Sequence, residues 1–151
     1  MNYPDFFSQL RILLDPDHEK LDFKSISQLD FKNFPSKIIV SLVHFEEDKN
    51  RRNQVSIKRN NDESVLKQPV QTQVFYLLFS SHSQNSNDYI SGIQALSEIN
   101  HFFHSHPIIK ISDEKKCLAE WVSLNWEQQF YLWKSLGVKQ LPYFLYKFSE
   151  I

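Results

Sequence analysis

The sequence predicts an α+β fold of about four strands and two or three helices. Three observations carry that expectation. Two long apolar runs, Lys37 to Phe45 and Val70 to Ser80, are rich in β-branched and aromatic residues. Three other segments repeat apolar residues at three- and four-residue intervals, which is helical spacing. The hydrophobic content, 41%, is loaded into 13 Phe, 6 Tyr and 3 Trp, so few side chains bring large buried areas. At 151 residues the chain has the length of one ordinary domain, which buries roughly 68–70% of its unfolded surface. The reading is therefore a single domain over residues 1–151.

In chain order, Pro4 to Leu14 places Phe6, Phe7, Leu10, Leu13 and Leu14 on a helical stripe, with a proline where a first turn tolerates one. From Asp15 to Pro35 the pattern breaks into Asp-Pro-Asp and then Leu21, Phe23 and Ile26, the signature of connecting chain with one short edge strand. Lys37 to Phe45 is nearly continuous in apolar residues, as expected of a first central strand buried on both faces. Glu46 to Lys67 then crowds charged and Asn residues together, and is expected to form a long solvated hairpin or arm. Val70 to Ser80 is the second strong strand, paired with the first.

Ile90, Ile93, Leu96, Ile99 and Phe103 predict a helix capped by Asn87 or Asp88 and stopped by Pro107. After a charged bend at Asp113 to Lys116, the run Cys117, Leu118, Trp121, Val122 predicts another strand. Asn125 with Gln128 three residues on has capping-box spacing; the helix runs through Phe130, Leu132, Trp133 and Leu136 to Gly137 at a left-handed terminating position. Tyr143 to Phe148 alternates as a closing strand.

Much chemistry is excluded on these residues. The two glycines, Gly92 and Gly137, stand singly, so no glycine-rich phosphate loop exists. A formal net charge of −1, from 17 Lys plus Arg against 18 Asp plus Glu, gives no field to attract polyanions, and neither nucleic acid nor membrane is expected as a partner. The lone Cys117 and the absence of a signal-like amino terminus point to a reducing compartment, the cytoplasm. His101, His104 and His106 precede Pro107 at a helix terminus, where they suit the helix dipole better than a metal; His44 and His82 stand elsewhere, and no metal or other cofactor is expected. Glu46, Glu47 and Asp48 resemble paired catalytic carboxylates, but Lys49, Arg51 and Arg52 neutralise them. Cys117, beside Leu118, Trp121 and Val122, is a buried small hydrophobe rather than a nucleophile. Arg51, Arg52, Lys58 and Arg59, with Tyr76 and Phe79, do not make a nucleic-acid surface, because acidic residues interrupt the basic run and the rings fall on core strands. No enzyme is predicted. Trp126, at a helix start, is the aromatic placed to anchor a partner.

Three separated stretches together resemble one known family. Lys37 to Phe45 followed by Glu46-Glu47-Asp48-Lys49-Asn50-Arg51-Arg52 is the first; Pro69 to Phe79, with Phe102-Phe103-His104-Ser105-His106-Pro107 further on, is the second. The third is Leu132-Trp133-Lys134-Ser135-Leu136-Gly137 with Pro142-Tyr143-Phe144-Leu145-Tyr146. Their order and spacing are similar to the terminator caps of the antifeeding prophage and the Photorhabdus virulence cassettes, over Lys37 to Phe148; Asp15 to Pro35 departs from the pattern. The resemblance implies a mixed, mainly antiparallel sheet like that of phage tail terminators. It implies a ring of self-copies, a hexamer, that ends the inner tube and sheath of a contractile injection system and contacts tube and sheath proteins. Interface residues expected on this reading are Glu46, Glu47, Arg51 and Arg52 in the arm, with Trp126 and Tyr131 on the last helix. A different class of function, an adaptor or neutralising protein holding one partner through Trp126 and Tyr131, stays open beside it.

Overall fold

The computed structural model describes residues 3–48 and 73–151, and between them the backbone of two short strands. Among the described residues the order is α1 (Tyr3–Leu14), β1 (Leu21–Phe23), a 3-10 turn (Ile26–Gln28), β2 (Lys37–Glu47), β3 (Ile57–Asn60), β4 (Glu63–Leu66), β5 (Gln73–His82), α2 (Ser86–Ser105), β6 (Ile108–Lys110), β7 (Lys116–Trp121), α3 (Trp126–Leu136) and β8 (Tyr143–Glu150). Six strands form one sheet in the order β1-β2-β5-β8-β7-β6, and β3 pairs with β4 alone. β1 runs parallel to β2 and every other neighbour is antiparallel. The sheet is thus mixed and mainly antiparallel, but holds six strands rather than about four. β1, at one edge, is the short edge strand expected between Asp15 and Pro35; β6, also three residues long, is too short to register as a periodicity.

The closing strand lies in the interior of the sheet, not at its rim. β8 pairs with β5 on one side, Phe148 opposite Phe75, and with β7 on the other, Phe148 opposite Ala119. β5 beside it is buried along almost its whole length, as a strand covered on both faces should be. β2 departs from that expectation: Ile38 to Ser41 are buried, but the strand beyond Leu42 is mostly exposed. A bulge between Leu42 and His44 shifts the alternation there, so that Val43 and His44 interrupt the period of two.

Alternation divides the core in two. Val40, Phe75, Leu77, Phe79, Tyr146 and Phe148 face α1 and α2, meeting Phe6 and Leu10 of the first helix and Leu96, Ile99 and Phe103 of the second. Ile39, Leu78 and Leu145 face the other way, onto Trp133 of α3 and onto Ile26 and Phe34. α2 begins two residues earlier than expected, capped by the Asn85 side chain, which accepts from the Asp88 amide at 2.9 Å. A Cβ at Gly92 would lie 2.0 Å from Ser81 Oγ, so glycine permits α2 to sit close against the end of β5.

The connection after α1 is organised by a buried carboxylate that no periodicity reveals. Asp15 accepts three backbone N–H groups, from Glu19 at 3.1 Å, Lys20 at 3.0 Å and Leu21 at 2.9 Å. That folds the Asp-Pro-Asp turn into β1, with His18 at a φ of 59°.

Candidate assembly surface

α3 is fixed at both ends by the means its sequence announces. Asn125 Oδ1 accepts from the Gln128 amide at 2.8 Å, and Gln128 Oε1 accepts from the Asn125 amide at 3.1 Å, completing the reciprocal box. Gly137, at a φ of 72°, donates its N–H to the Trp133 and Lys134 carbonyls. Between these ends Gln129, Leu132, Trp133 and Leu136 turn to the sheet, and Trp133 meets Tyr143 edge-on at 5.4 Å. Phe130 does not belong to this stripe: it is 60% exposed.

The outer flank of α3 is aromatic. Trp126 is 84% exposed and Tyr131 58%. Five residues apart on a helix, they are separated by about 140° and do not share a face. Phe130 joins them. It stands one turn above Trp126 on the same flank, touches Tyr131 at 5.8 Å, and carries Lys134 Nζ over its ring at 5.7 Å. The i, i+4 spacing from Trp126 was the signal that marks Phe130; its fit to an apolar helix pattern hid it.

The acidic end of β2 is a separate place. Glu46 accepts from the Tyr76 hydroxyl at 3.1 Å and lies 3.5 Å from His44 Nε2. Burial, and then the Glu46 carboxylate, hold the Tyr76 hydroxyl above its ordinary pKa. Glu47 is exposed and paired in register with Gln73. No hydrogen bond, ion pair or ring contact among the described residues joins Glu46 or Glu47 to α3. Arg51 and Arg52 lie outside the described residues, as do the side chains of Lys58 and Arg59.

The remaining candidates are scattered. His82 is buried, with Nε2 3.2 Å from the Phe34 carbonyl oxygen and its ring between Phe31 and Phe34. His106 stacks on Phe102 at 5.0 Å at the end of α2. Among the described residues no three His, Cys, Asp or Glu side chains converge as metal ligands would, and no helix is long and apolar enough to cross a membrane. Cys117 is fully buried, and burial, followed by the Glu150 carboxylate, pushes its thiol up to about 12. It is protonated at neutral pH and packs as a hydrophobe.

An open cleft of about 560 Å³ lies between α2 and the chain entering β8, walled by Tyr89, Ile93, Leu96, Leu141, Pro142 and Phe144. Its apolar walls include Ile93 and Leu96, both on the stripe that predicted the helix. Ile90 and Ile93 continue the stripe of Leu96, Ile99 and Phe103, yet Ile90 is 71% exposed and Ile93 lies in the cleft wall. The amino-terminal part of α2 carries its apolar stripe past the buried core.

Comparison with known proteins gives a consistent picture. No curated protein sequence matches the chain. The sheath/tube terminator of the PVC extracellular contractile injection system, in its extended state, superposes on the whole chain with a TM-score of 0.73 at 12% identity, over 56% of its own length. The tube-terminating cap of the anti-feeding prophage superposes on 98% of the chain with a TM-score of 0.63 at 16% identity, over 52% of its length. The chain thus spans about half the length of each terminator, and shares the fold of that half. At the level of sequence, residues 10–151 match the Pvc16 N-terminal domain, and with nearly its entire length inside that match the chain belongs to this family.

Proposed function

We infer that the chain is a structural cap that ends the inner tube and sheath of a contractile, phage-tail-like injection system, and that residues 1–151 act as one terminator-like domain. The observation carrying this is the superposition over essentially the entire chain on two proteins that each terminate such a tube. The working parts are surfaces rather than a reaction centre: exposed aromatic groups on α3, an acidic strand end at Glu46 and Glu47, and the arm bearing Arg51 and Arg52. A cap assembles as a ring of copies, a hexamer, on the last layer of tube and sheath subunits, without catalysis, cofactor, nucleic acid or membrane. Assembly takes place in the cytoplasm, and the cap leaves within the finished particle.

Electron microscopy of particles made with and without the gene tests this. Tubes of controlled length that become heterogeneous, overlong or unsheathed on deletion are the expected result. An unchanged length distribution, with the protein recovered instead in a one-to-one complex with a single non-tubular partner, would favour the adaptor reading, which the exposure of Trp126 also suits.

A further inference from the structure

Among the described residues the fold leaves two apolar surfaces uncovered, one beside α2 and one on the outer flank of α3. The first is the cleft. Past Phe144, Trp121 stands edge-on to that ring at 5.4 Å and is itself 57% exposed. On its other side a second hollow, of about 160 Å³, continues over Tyr146 toward His104 and Pro107. The two hollows lie along α2 on either side of the Phe144–Trp121 ring pair, and the pair of them is the trough, with aromatic rings in its walls. The other surface is the Trp126–Phe130 flank of α3, which is convex.

We propose that the trough is the seat for the Trp126–Phe130 ridge of a second copy of this chain. This deepens the cap reading by naming the joint between neighbours, and it rests on that reading only for where the assembly ends up. Shape is the first reason. Trp126 and Phe130, one turn apart, form the paired anchors with which a helix enters an apolar groove. Two such ridges meeting each other would leave the trough open, whereas ridge in trough covers both. Polar fit is the second: Ser97 and Gln140 stand in the cleft wall, and their side-chain oxygens are acceptors that an incoming indole N–H needs when it is buried.

Area is the third reason. Tyr89, Ile90, Ile93, Trp121, Trp126 and Phe130 are all substantially exposed; at on the order of 100 Å² each they hold about 600 Å² of apolar surface. Interfaces are about 57% apolar, so this matches a joint of about 1,050 Å², just above the roughly 1,000 Å² that a specific contact needs. Because the two patches differ, each joint leaves one free ridge and one free trough. Contacts of that kind propagate head to tail and close into a ring when the rotation allows.

Two substitutions at solvent-facing positions separate the halves of the joint in the full chain: Ile93→Lys fills the trough with charge, and Trp126→Glu removes the ridge. With circular dichroism and melting temperature unchanged, sedimentation of each variant alone should show association weakened about 30-fold or more. Mixed together they should form one-to-one dimers that grow no further, since one intact ridge meets one intact trough. Either variant assembling like the parent overturns the proposal, as does a mixture that stays monomeric while the parent assembles. If the parent associates only on tube ends, particles carrying Ser97→Cys in the cleft wall and Glu127→Cys beside Trp126 in every copy, with Ile93 and Trp126 kept, should give a ladder of cross-linked multimers on oxidation, with buried Cys117 a bystander. Capped particles without a ladder sink the joint and leave the cap reading standing; a ladder with no effect of gene deletion on tube length does the reverse.

Discussion

The two faces of the sheet are covered to very different depths. Toward α1 and α2, Phe6, Phe75, Phe79, Phe103, Tyr146 and Phe148 form a continuous set of ring contacts, with Phe6 to Phe148 at 5.1 Å and Phe103 to Phe148 at 5.5 Å. Toward α3 the buried set shrinks to Ile26, Phe34, Ile39, Leu78, Trp133 and Leu145. The first face is built as an interior. The second is a thin layer under one short helix, whose remaining aromatic residues point outward. A chain with 22 aromatic residues has more than enough rings for one core; the surplus stands on α3 and beside α2, where another molecule can use it.

This contrast can be broken by mutation. Phe148→Ala, at the junction of three rings, should cost about 3–5 kcal/mol in denaturant unfolding. Trp133→Ala on the thin face should cost no more than about 3 kcal/mol, the low end for removing a buried ring, because the shallow layer around it can collapse. Equal costs would mean that the two faces are equally well packed.

Asp15 sharpens the thick side. Burial alone would raise its pKa, but the Leu21, Lys20 and Glu19 amides and nearby Arg11 outweigh it and hold the carboxyl below its ordinary 3.8. The folded value lies below the unfolded one, so the stabilisation is present at neutral pH and is lost as pH falls through the folded value. Asp15→Ala, which strands three amides, should cost about 1–3 kcal/mol near pH 7. The gap between Asp15→Asn and the parent should close on acidification below 3.8, as followed by thermal melts across pH.

Gly92→Ala should cost about 1–3 kcal/mol by forcing α2 away from β5. Adding Ser81→Ala removes the hydroxyl that the new methyl would strike, so the double variant should regain most of that loss in a mutant cycle. Smallest is Asn125→Ala, about 1 kcal/mol from the lost cap of α3. Its cost should appear without any change in the thick-face signal from tyrosine fluorescence.

Local chemistry in this chain was legible where one residue type has one structural use. Asn125 with Gln128, Gly137 and the apolar run at Lys37 each named its element before any coordinates. What escaped notice depends on neighbours distant in sequence. Three-residue β6 exists because β7 offers it an edge, whereas the short edge strand expected at Leu21 and Phe23 is β1, beside β2. Periodicity gives the apolar face of α2 and α3 but not where the opposing layer stops, so the exposure of Ile90, Ile93 and Phe130 escapes it. Asp15 looked like turn punctuation because its three acceptor roles are set by backbone that the carboxylate itself folds. Of the expected interface, Trp126 and Tyr131 are indeed exposed, but their connection through Phe130 is a matter of helix angle rather than composition.

β8 follows every other described strand in the sequence, yet stands between β5 and β7. During synthesis, β1, β2 and β5 can pair as one ladder and β6 with β7 as another, but neither has its inner neighbour until Tyr143–Glu150 leaves the ribosome. The sheet must therefore wait for residues 143–150, and a chain cut short before Tyr143 is left with two unjoined half-sheets. Their bare inner edges are unpaired strands, open to pairing with other chains and to proteolysis.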